Sequence, residues 1–574
     1  MNLLFQTDPA LGLAPWLRFA SPVQVLCTHR IEGVRPLLRE VEAARSRGLW
    51  AAGFVTYEAA RAFDPALATH NPGPLPLAWF GLFNPPLPDP APLWPEADGP
   101  LDLVPDLGSK AYAARIADIK EAIARGETYQ VNFTFRLRGH APADPAAFFA
   151  RLHHAQRGGY SALVETPDFS LCSASPELFF LQQGERLTCR PMKGTAARGA
   201  SWSEDEARGE ALQLSEKNRA ENVMIVDMIR NDLGRLVPAG AVQTRSLFDV
   251  QRLPTLWQMT STVEAHGRAG LDELFSALFP CASITGAPKV RTTQIIKELE
   301  SSPRGIYTGA MGFAGPGGLA QFNVAIRTLA VDHRSGRAEY GIGSGVVWDS
   351  EAESEYEECR SKAHILQHAP GPFQLLATMA WRQRAGFVLL DRHLARLRRA
   401  ANYFGFQFNE QDIREALQNA VQGECRIRVL IAPDGSPTVE TSPLPAPATT
   451  LWKLAIAQEP VDEDDPFLYF KTTRREIYER ARKAHPETDD VLLWNQRGEV
   501  TETTIANLAI RRGDRWITPP VSCGLLDGIQ REELLARNEI SEGIITLEEV
   551  RSAPALALFN SVRGWIPATL ANHS

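Results

Sequence analysis

The chain has seven cysteines in 574 residues and no Cys-x-x-Cys pair, which excludes a zinc ribbon and a disulfide framework. An odd number of scattered thiols suits a reducing compartment. Positive charge is not in excess: 60 Lys and Arg against 68 Asp and Glu leave a net charge of -8. That balance argues against a nucleic-acid surface, because phosphate binding rests on a net basic field. No apolar run approaches the ~20 residues that span a bilayer. Met1 to Gln6 lack the basic region of a secretory leader, and Asp8 interrupts the segment. No repeat of about 20 to 50 residues is visible, which excludes a solenoid or propeller. The expectation is a cytoplasmic protein whose partners include neither nucleic acid nor membrane.

A chain this long exceeds what one core supports, and 44% hydrophobic with 22% charged residues is an ordinary folded composition. The main boundary falls near His368 to Pro372, where Ala369-Pro370-Gly371-Pro372 breaks regular structure. It gives a first module, 1–368, with an N-terminal segment over residues 1–107 and a core over 108–368, and a second module, 369–574. Asn71 to Leu107 is too rich in proline for a central strand, and Pro443 to Thr450 reads as a connector. Helices are expected over 111–125 and 203–236, the latter burying Val223, Ile225, Met228 and Ile229. Strands are expected over 310–314, 321–330 and 338–342, the first two joined at Gly315-Pro316-Gly317-Gly318. The fold class is α+β.

Four constellations in the first module carry chemistry. In Arg190-Pro191-Met192-Lys193-Gly194-Thr195 a lysine sits near a cation; an amine is nucleophilic only when neutral, and burial or a neighbouring charge favours that state. Taken alone, a lysine before glycine is more often on the surface. Glu221, Glu355 and Glu358 are hard oxygen ligands on two helical stretches, with 355 and 358 on one face. Their bland alternative is solvated helix. Ser283-Ile284-Thr285-Gly286-Ala287-Pro288-Lys289 leads into a helix at Val290 and offers backbone donors to an anion, or merely caps the helix. Gly341-Ile342-Gly343-Ser344-Gly345 reads as a second backbone-donor loop, and Arg327 can grip a carboxylate.

These segments, with Gly126 to Asn132, Ser175-Pro176-Glu177, Ala220-Glu221-Asn222, Arg230-Asn231-Asp232 and Tyr307-Thr308-Gly309, resemble the chorismate-utilising enzymes, in that family's order. The Pro-x-Lys-Gly-Thr version resembles the aminodeoxychorismate synthase component I branch, whereas anthranilate synthases place alanine at position 193. The resemblance implies an α/β sandwich in which Lys193 bonds covalently to the chorismate ring and Glu177 is general acid/base. It implies that Glu221 and Glu358, helped by Glu355, hold Mg²⁺, and that Thr285, Gly286, Tyr307, Arg327, Gly343, Ser344, Gly345 and Lys362 bind substrate. The chain departs from the family at Gln258, where many relatives carry histidine, and it lacks a Leu-Leu-Glu-Ser element.

In the second module, His393-Leu394-Ala395-Arg396, Phe470-Lys471-Thr472, Thr501-Glu502-Thr503, Gly528-Ile529-Gln530 and Asn560-Ser561 supply in turn a cation, a lysine, an acid, a backbone turn and a hydroxyl. Pyridoxal phosphate needs a lysine, an acid at its ring nitrogen and donors for its phosphate. Singly each is weak, and Lys471 in isolation reads as a surface residue. Together they resemble the class IV aminotransferase-like family, a two-subdomain pyridoxal-phosphate fold. The resemblance implies that Lys471 bonds the cofactor, Glu502 faces its nitrogen, and Arg396, Ile529, Gln530 and Ser561 hold it. Ala377 and Asp527 depart from the usual pattern.

Combined, the resemblances imply amination of chorismate with ammonia, then elimination of pyruvate to give p-aminobenzoate. No cysteine sits in a glutaminase-like elbow, so a separate glutamine amidotransferase subunit is expected as partner, and a homodimer through the second module is allowed. The competing readings are an anthranilate or salicylate synthase first module, and an aminotransferase or non-catalytic partner-binding second module.

Overall fold

The computed structural model describes residues 1–92, 101–366, 371–446 and 450–571. The chain separates into two compact units, Met1–Ala197 with Gly209–Gly371, and Arg198–Arg208 with Pro372–Ser574. Residues 368–370 of the expected boundary lie outside the described residues.

The first unit is built on two ten-stranded sheets. One contains Gln130–His140 beside Arg337–Val346, followed by Thr328–Asp332, Phe169–Ser175, Tyr160–Glu165 and Asn2–Gln6. The other runs from Met192–Ala197 through Leu256–His266, Arg186–Arg190, Leu178–Gln183, Leu319–Val324, Ala310–Gly315 and Trp50–Val55 to Ala78–Phe83. An aromatic core lies between the sheets, with Phe5 against Phe313 at 5.8 Å between ring centres. Helices cover both outer faces. Ile229 of Glu216–Gly234 and Phe275 of Leu271–Leu278 pack with Phe180 and Phe322, while Ile116 of Ser109–Ala124 and Phe149 of Pro145–Gln156 pack with Phe133 and Phe135.

Burial on both faces explains a correction. Ala78–Phe83 is a fully buried strand inside the proline-rich stretch whose composition argues against a central strand. Its six residues contain no proline, and the two-residue period sends Phe80 and Leu82 to the helix layer and Trp79 and Phe83 to the inter-sheet core. Residues 93–100 of that stretch lie outside the described residues.

Three further expectations differ. The helix 203–236 is two, Trp202–Leu214 and Glu216–Gly234, because the Ser215 hydroxyl accepts from the Asn218 amide and starts a new helix; Val223 is exposed rather than buried. The strand 321–330 is also two, Leu319–Val324 and Thr328–Asp332, in different sheets. The chain crosses between them at Ala325 to Arg327, where Arg327 adopts φ 51°. The glycine segment 341–345 is no loop but the end of Arg337–Val346, paired along Gln130–His140.

The second unit holds a four-stranded sheet (Gly386–Phe387, Leu375–Arg382, Cys425–Ile431, Pro437–Ser442) and an eight-stranded mixed sheet around Trp452–Ile456, Gly564–Leu570 and Leu556–Asn560. Helices Leu390–Phe404 and Glu410–Ala420 bury Leu394, Leu397 and Leu417 against Ile427 and Val429 of the smaller sheet. The segment around Lys471 runs along that sheet's edge: the Leu376 amide donates to the Lys471 carbonyl at 2.9 Å, and Thr472 bridges Leu375. Residues 443–446 of the expected connector carry no regular structure, and 447–449 lie outside the described residues. Among the described residues no helix is long and apolar enough to cross a membrane.

Candidate active sites

A cavity of about 320 Å³ in the first unit gathers Glu177, Lys193, Glu221, Tyr307, Arg327, Gly343, Gly345, Glu355, Glu358 and Lys362. Lys193 comes from the strand Met192–Ala197, Glu221 from the helix Glu216–Gly234, and Glu355, Glu358 and Lys362 from Ala352–Ala363. Burial lowers the Lys193 ammonium below the ordinary lysine range and Lys362 adds to this, while Glu221 and Glu177 oppose it. Glu177 accepts from the Ser283 hydroxyl at 2.6 Å. Burial still pushes its carboxyl up to about 7, against the pull of Ser283 and Lys193. Glu358 pairs with Lys362 at 2.7 Å, which depresses the Glu358 carboxyl. Lys362 also donates to the Gly343 carbonyl at 2.9 Å. Arg327 donates to Gln156 at 2.9 Å and also lines the cavity.

The glycines of 341–345 now have a steric reason. A Cβ on Gly341 would overlap the Tyr307 ring, and one on Gly345 would overlap the Gln130 amide and meet Lys193 Nζ at 2.9 Å. These positions stay bare so that Tyr307 and Lys193 can lie on the strand. Ser344, expected at the ligand, points to the other face, where its hydroxyl bonds Tyr112 at 2.8 Å. That is the two-residue alternation of a strand. Thr285 and Gly286 are likewise absent from the cavity lining. The Thr285 hydroxyl donates to the Cys281 carbonyl at 3.0 Å, and Gly286 pairs with Val131. Their neighbours Ser283 and Ile284 reach the cavity instead.

The motifs did not mark Ser283 as a working group, nor Gln130, whose buried amide near Lys193 has no hydrogen-bond partner among the described residues. Gln258, the departure from family pattern, also lines the cavity and donates to the Gly194 carbonyl at 2.9 Å. Among the described residues no three His, Cys, Asp or Glu side chains are drawn together tightly enough to hold a metal. Glu221, Glu355 and Glu358 nevertheless line the same cavity, and burial with the repulsion of Glu355 and Glu358 raises the Glu221 carboxyl. This carboxylate set has the chemistry of a hard divalent cation site.

A second cavity, about 370 Å³ and wholly in the second unit, brings together Lys471, Glu502, Arg396, Ile529, Gln530 and Ser561. Burial, reinforced by Arg396 and Arg475, lowers Lys471 to about 7. Burial raises Glu502 to about 7, and its oxygens accept from the Tyr478 hydroxyl at 2.9 Å, the Leu526 amide at 3.2 Å and Asn507 at 3.3 Å. Gly528 caps the helix Ile529–Ala536, and a Cβ there would collide with Asn507. Ser561 donates to the Thr378 carbonyl at 3.2 Å.

Arg396 is buried, yet its one hydrogen bond is to the Asp527 carbonyl at 3.4 Å, with no carboxylate in ion-pair range among the described residues. A buried guanidinium beside a helix N-terminus calls for an anion. The lysine, the acid and this anion site fit pyridoxal phosphate. Neither departure removes a group from the cavity. Ala377 faces the hydrophobic core, and the Asp527 carboxylate pairs with Arg531 at 3.2 Å.

Residues 87–368 match chorismate binding enzyme, and residues 374–571 match amino-transferase class IV. Aminodeoxychorismate synthase component 1 of Bacillus subtilis is 39% identical over 260 residues, 45% of this chain and 55% of that protein. An anthranilate synthase component 1 of Haloarcula marismortui is 38% identical over 266 residues, 46% of this chain and 54% of that protein. The chain thus spans about half the length of the curated relatives it matches. The crystal structure of anthranilate synthase component I from Streptococcus pneumoniae shares the first unit's fold at 24% identity and a TM-score of 0.54, over 61% of this chain and 91% of that one. Residues 87–368 thus carry a domain similar to the chorismate binding enzymes, and residues 374–571 a domain similar to the class IV aminotransferases.

Proposed function

We propose that the chain makes p-aminobenzoate in two steps, its module 1–368 aminating chorismate to 4-amino-4-deoxychorismate and its module 369–574 releasing pyruvate from that product. The observation that carries this reading is Lys193, an amine depressed by burial and facing Glu177 in a carboxylate-rich cavity. The matched relatives include both para- and ortho-aminating synthases at nearly equal identity, so the residue at 193 decides between them.

In the first step neutral Lys193 bonds to the ring as the 4-hydroxyl leaves, and Glu177, whose carboxyl holds its proton up to about 7, gives that hydroxyl its proton to make water. Ammonia then forms the C4–N bond and Lys193 departs as the amine. Arg327, Lys362 and Tyr307 orient the two carboxylates of chorismate, which makes the displacement effectively intramolecular. Glu221 and Glu358, with Glu355, would hold Mg²⁺, which would neutralise ring-carboxylate charge.

In the second step bound pyridoxal phosphate would supply an electron sink. Arg396, Ile529, Gln530 and Ser561 would hold its phosphate and Glu502 its ring nitrogen, and Lys471 would move the C4 proton as the enolpyruvyl group is expelled. Aromatisation drives this elimination. The ammonia is supplied by a separate glutamine amidotransferase, any homodimer would form through the second module, and the seven free cysteines favour the cytoplasm. The test is product analysis with chorismate, Mg²⁺, ammonium and pyridoxal phosphate. Equal p-aminobenzoate and pyruvate support the reading, and o-aminobenzoate overturns it.

A further inference from the structure

The second cavity carries more positive charge than its cofactor can use. Five of its lining residues are arginines, Arg396, Arg426, Arg428, Arg475 and Arg563, beside Lys471, and the single carboxylate among them is Glu502. Arg396 and the Gly528 turn suffice for a phosphate.

Arg426 and Arg428 lie on one face of Cys425–Ile431, while Ile427 and Val429 on the other fill the core. Their register opposite Ala380 and Thr378 turns them to the same side as Leu376 and Thr378, which also line the cavity. Among the described residues none of these arginines lies in ion-pair range of a buried acid. Arg426 reaches the Ser442 hydroxyl at 3.1 Å, and Arg428 meets Glu440 at 3.4 Å with the two side chains 39% and 51% exposed. Such a surface pair contributes little. Arg475 donates to the Thr504 carbonyl and Arg563 to the Ala446 carbonyl.

Gathering like charges is costly unless a ligand compensates them. Guanidinium forks match carboxylates bidentately, and two residues on one strand face stand roughly 7 Å apart. That spacing suits two separate carboxylates. An amino acid with one carboxylate would leave some of the wall unpaired.

We propose that Arg426 and Arg428, with Arg475 of the same cavity, form a carboxylate-recognition wall that restricts the second module to dianionic substrates. This rests on the lyase reading only for the identity of the dianion. The wall selects against monocarboxylate aminotransferase substrates by charge.

The experiment uses the full chain loaded with pyridoxal phosphate and measures, by the shift of the visible cofactor band, which reports on the second cavity alone, the binding of isophthalate, a dianion, and benzoate, a monoanion. Wild type should bind isophthalate at least tenfold more tightly. R426Q/R428Q should lose that preference while keeping the visible cofactor band, and R428K should retain some of it. If the double variant does not fold, R428Q and R475Q are measured singly. Equal binding of both anions by wild type, or a preference that survives the substitutions, overturns the proposal. In parallel, KM for 4-amino-4-deoxychorismate should rise at least tenfold in R426Q/R428Q with kcat within about threefold. A wild type that forms no p-aminobenzoate from this substrate would defeat the lyase reading, and the isophthalate result would still decide the wall.

Discussion

Ser283 donates a 2.6 Å hydrogen bond to Glu177 inside a cavity where burial holds that carboxyl near 7. The hydroxyl comes from the turn before Lys289–Leu299 and the acid from the start of Leu178–Gln183, so two distant segments set one protonation state. The Glu177 proton therefore has a measurable thermodynamic signature.

The ordinary value for this carboxyl is about 4.5 and the folded value about 7. The folded state binds the proton more tightly, so stability is fully present below about pH 4.5 and is lost as pH rises through 7. Glu177→Gln should therefore match wild type in acid and exceed it by on the order of 1 to 3 kcal/mol above pH 7. Urea melts at several pH values check this. The same variant should lose chorismate amination by at least a hundredfold.

Gly345→Ala tests the bare strand. Its methyl would press on Lys193 Nζ and the Gln130 amide. Amination should fall more than tenfold while conversion of supplied 4-amino-4-deoxychorismate is unchanged, as separate assays of the two half-reactions would register.

Metal removal separates the modules differently. Treatment with EDTA should suppress chorismate amination at least tenfold, restored by added Mg²⁺, with no effect on the second half-reaction. Glu221→Gln should raise the Mg²⁺ concentration needed for half-maximal rate.

Much of this was legible in the sequence because motif spacing reports chain order. Lys193, Glu177, Glu221, Glu358 and Lys362 do meet in one cavity, and Lys471, Glu502 and Arg396 in another. What the sequence hid was side-chain direction. Gly341 to Gly345 read as a loop because glycine marks turns, yet these glycines make room on a strand. Ser344 consequently faces Tyr112 and not the ligand. Ala78–Phe83 was obscured by flanking prolines, and Arg426 and Arg428 carry no motif, since their role depends on the sheet register that turns them to the cavity.

The most direct test supplies the purified chain with chorismate, Mg²⁺, ammonium and pyridoxal phosphate, and quantifies 4-amino-4-deoxychorismate, p-aminobenzoate and pyruvate for wild type, Lys193→Ala and Lys471→Ala. Wild type should release p-aminobenzoate and pyruvate in equal amounts. Lys193→Ala should form no aminated product, and Lys471→Ala should accumulate 4-amino-4-deoxychorismate. Undiminished p-aminobenzoate from both variants would contradict the account.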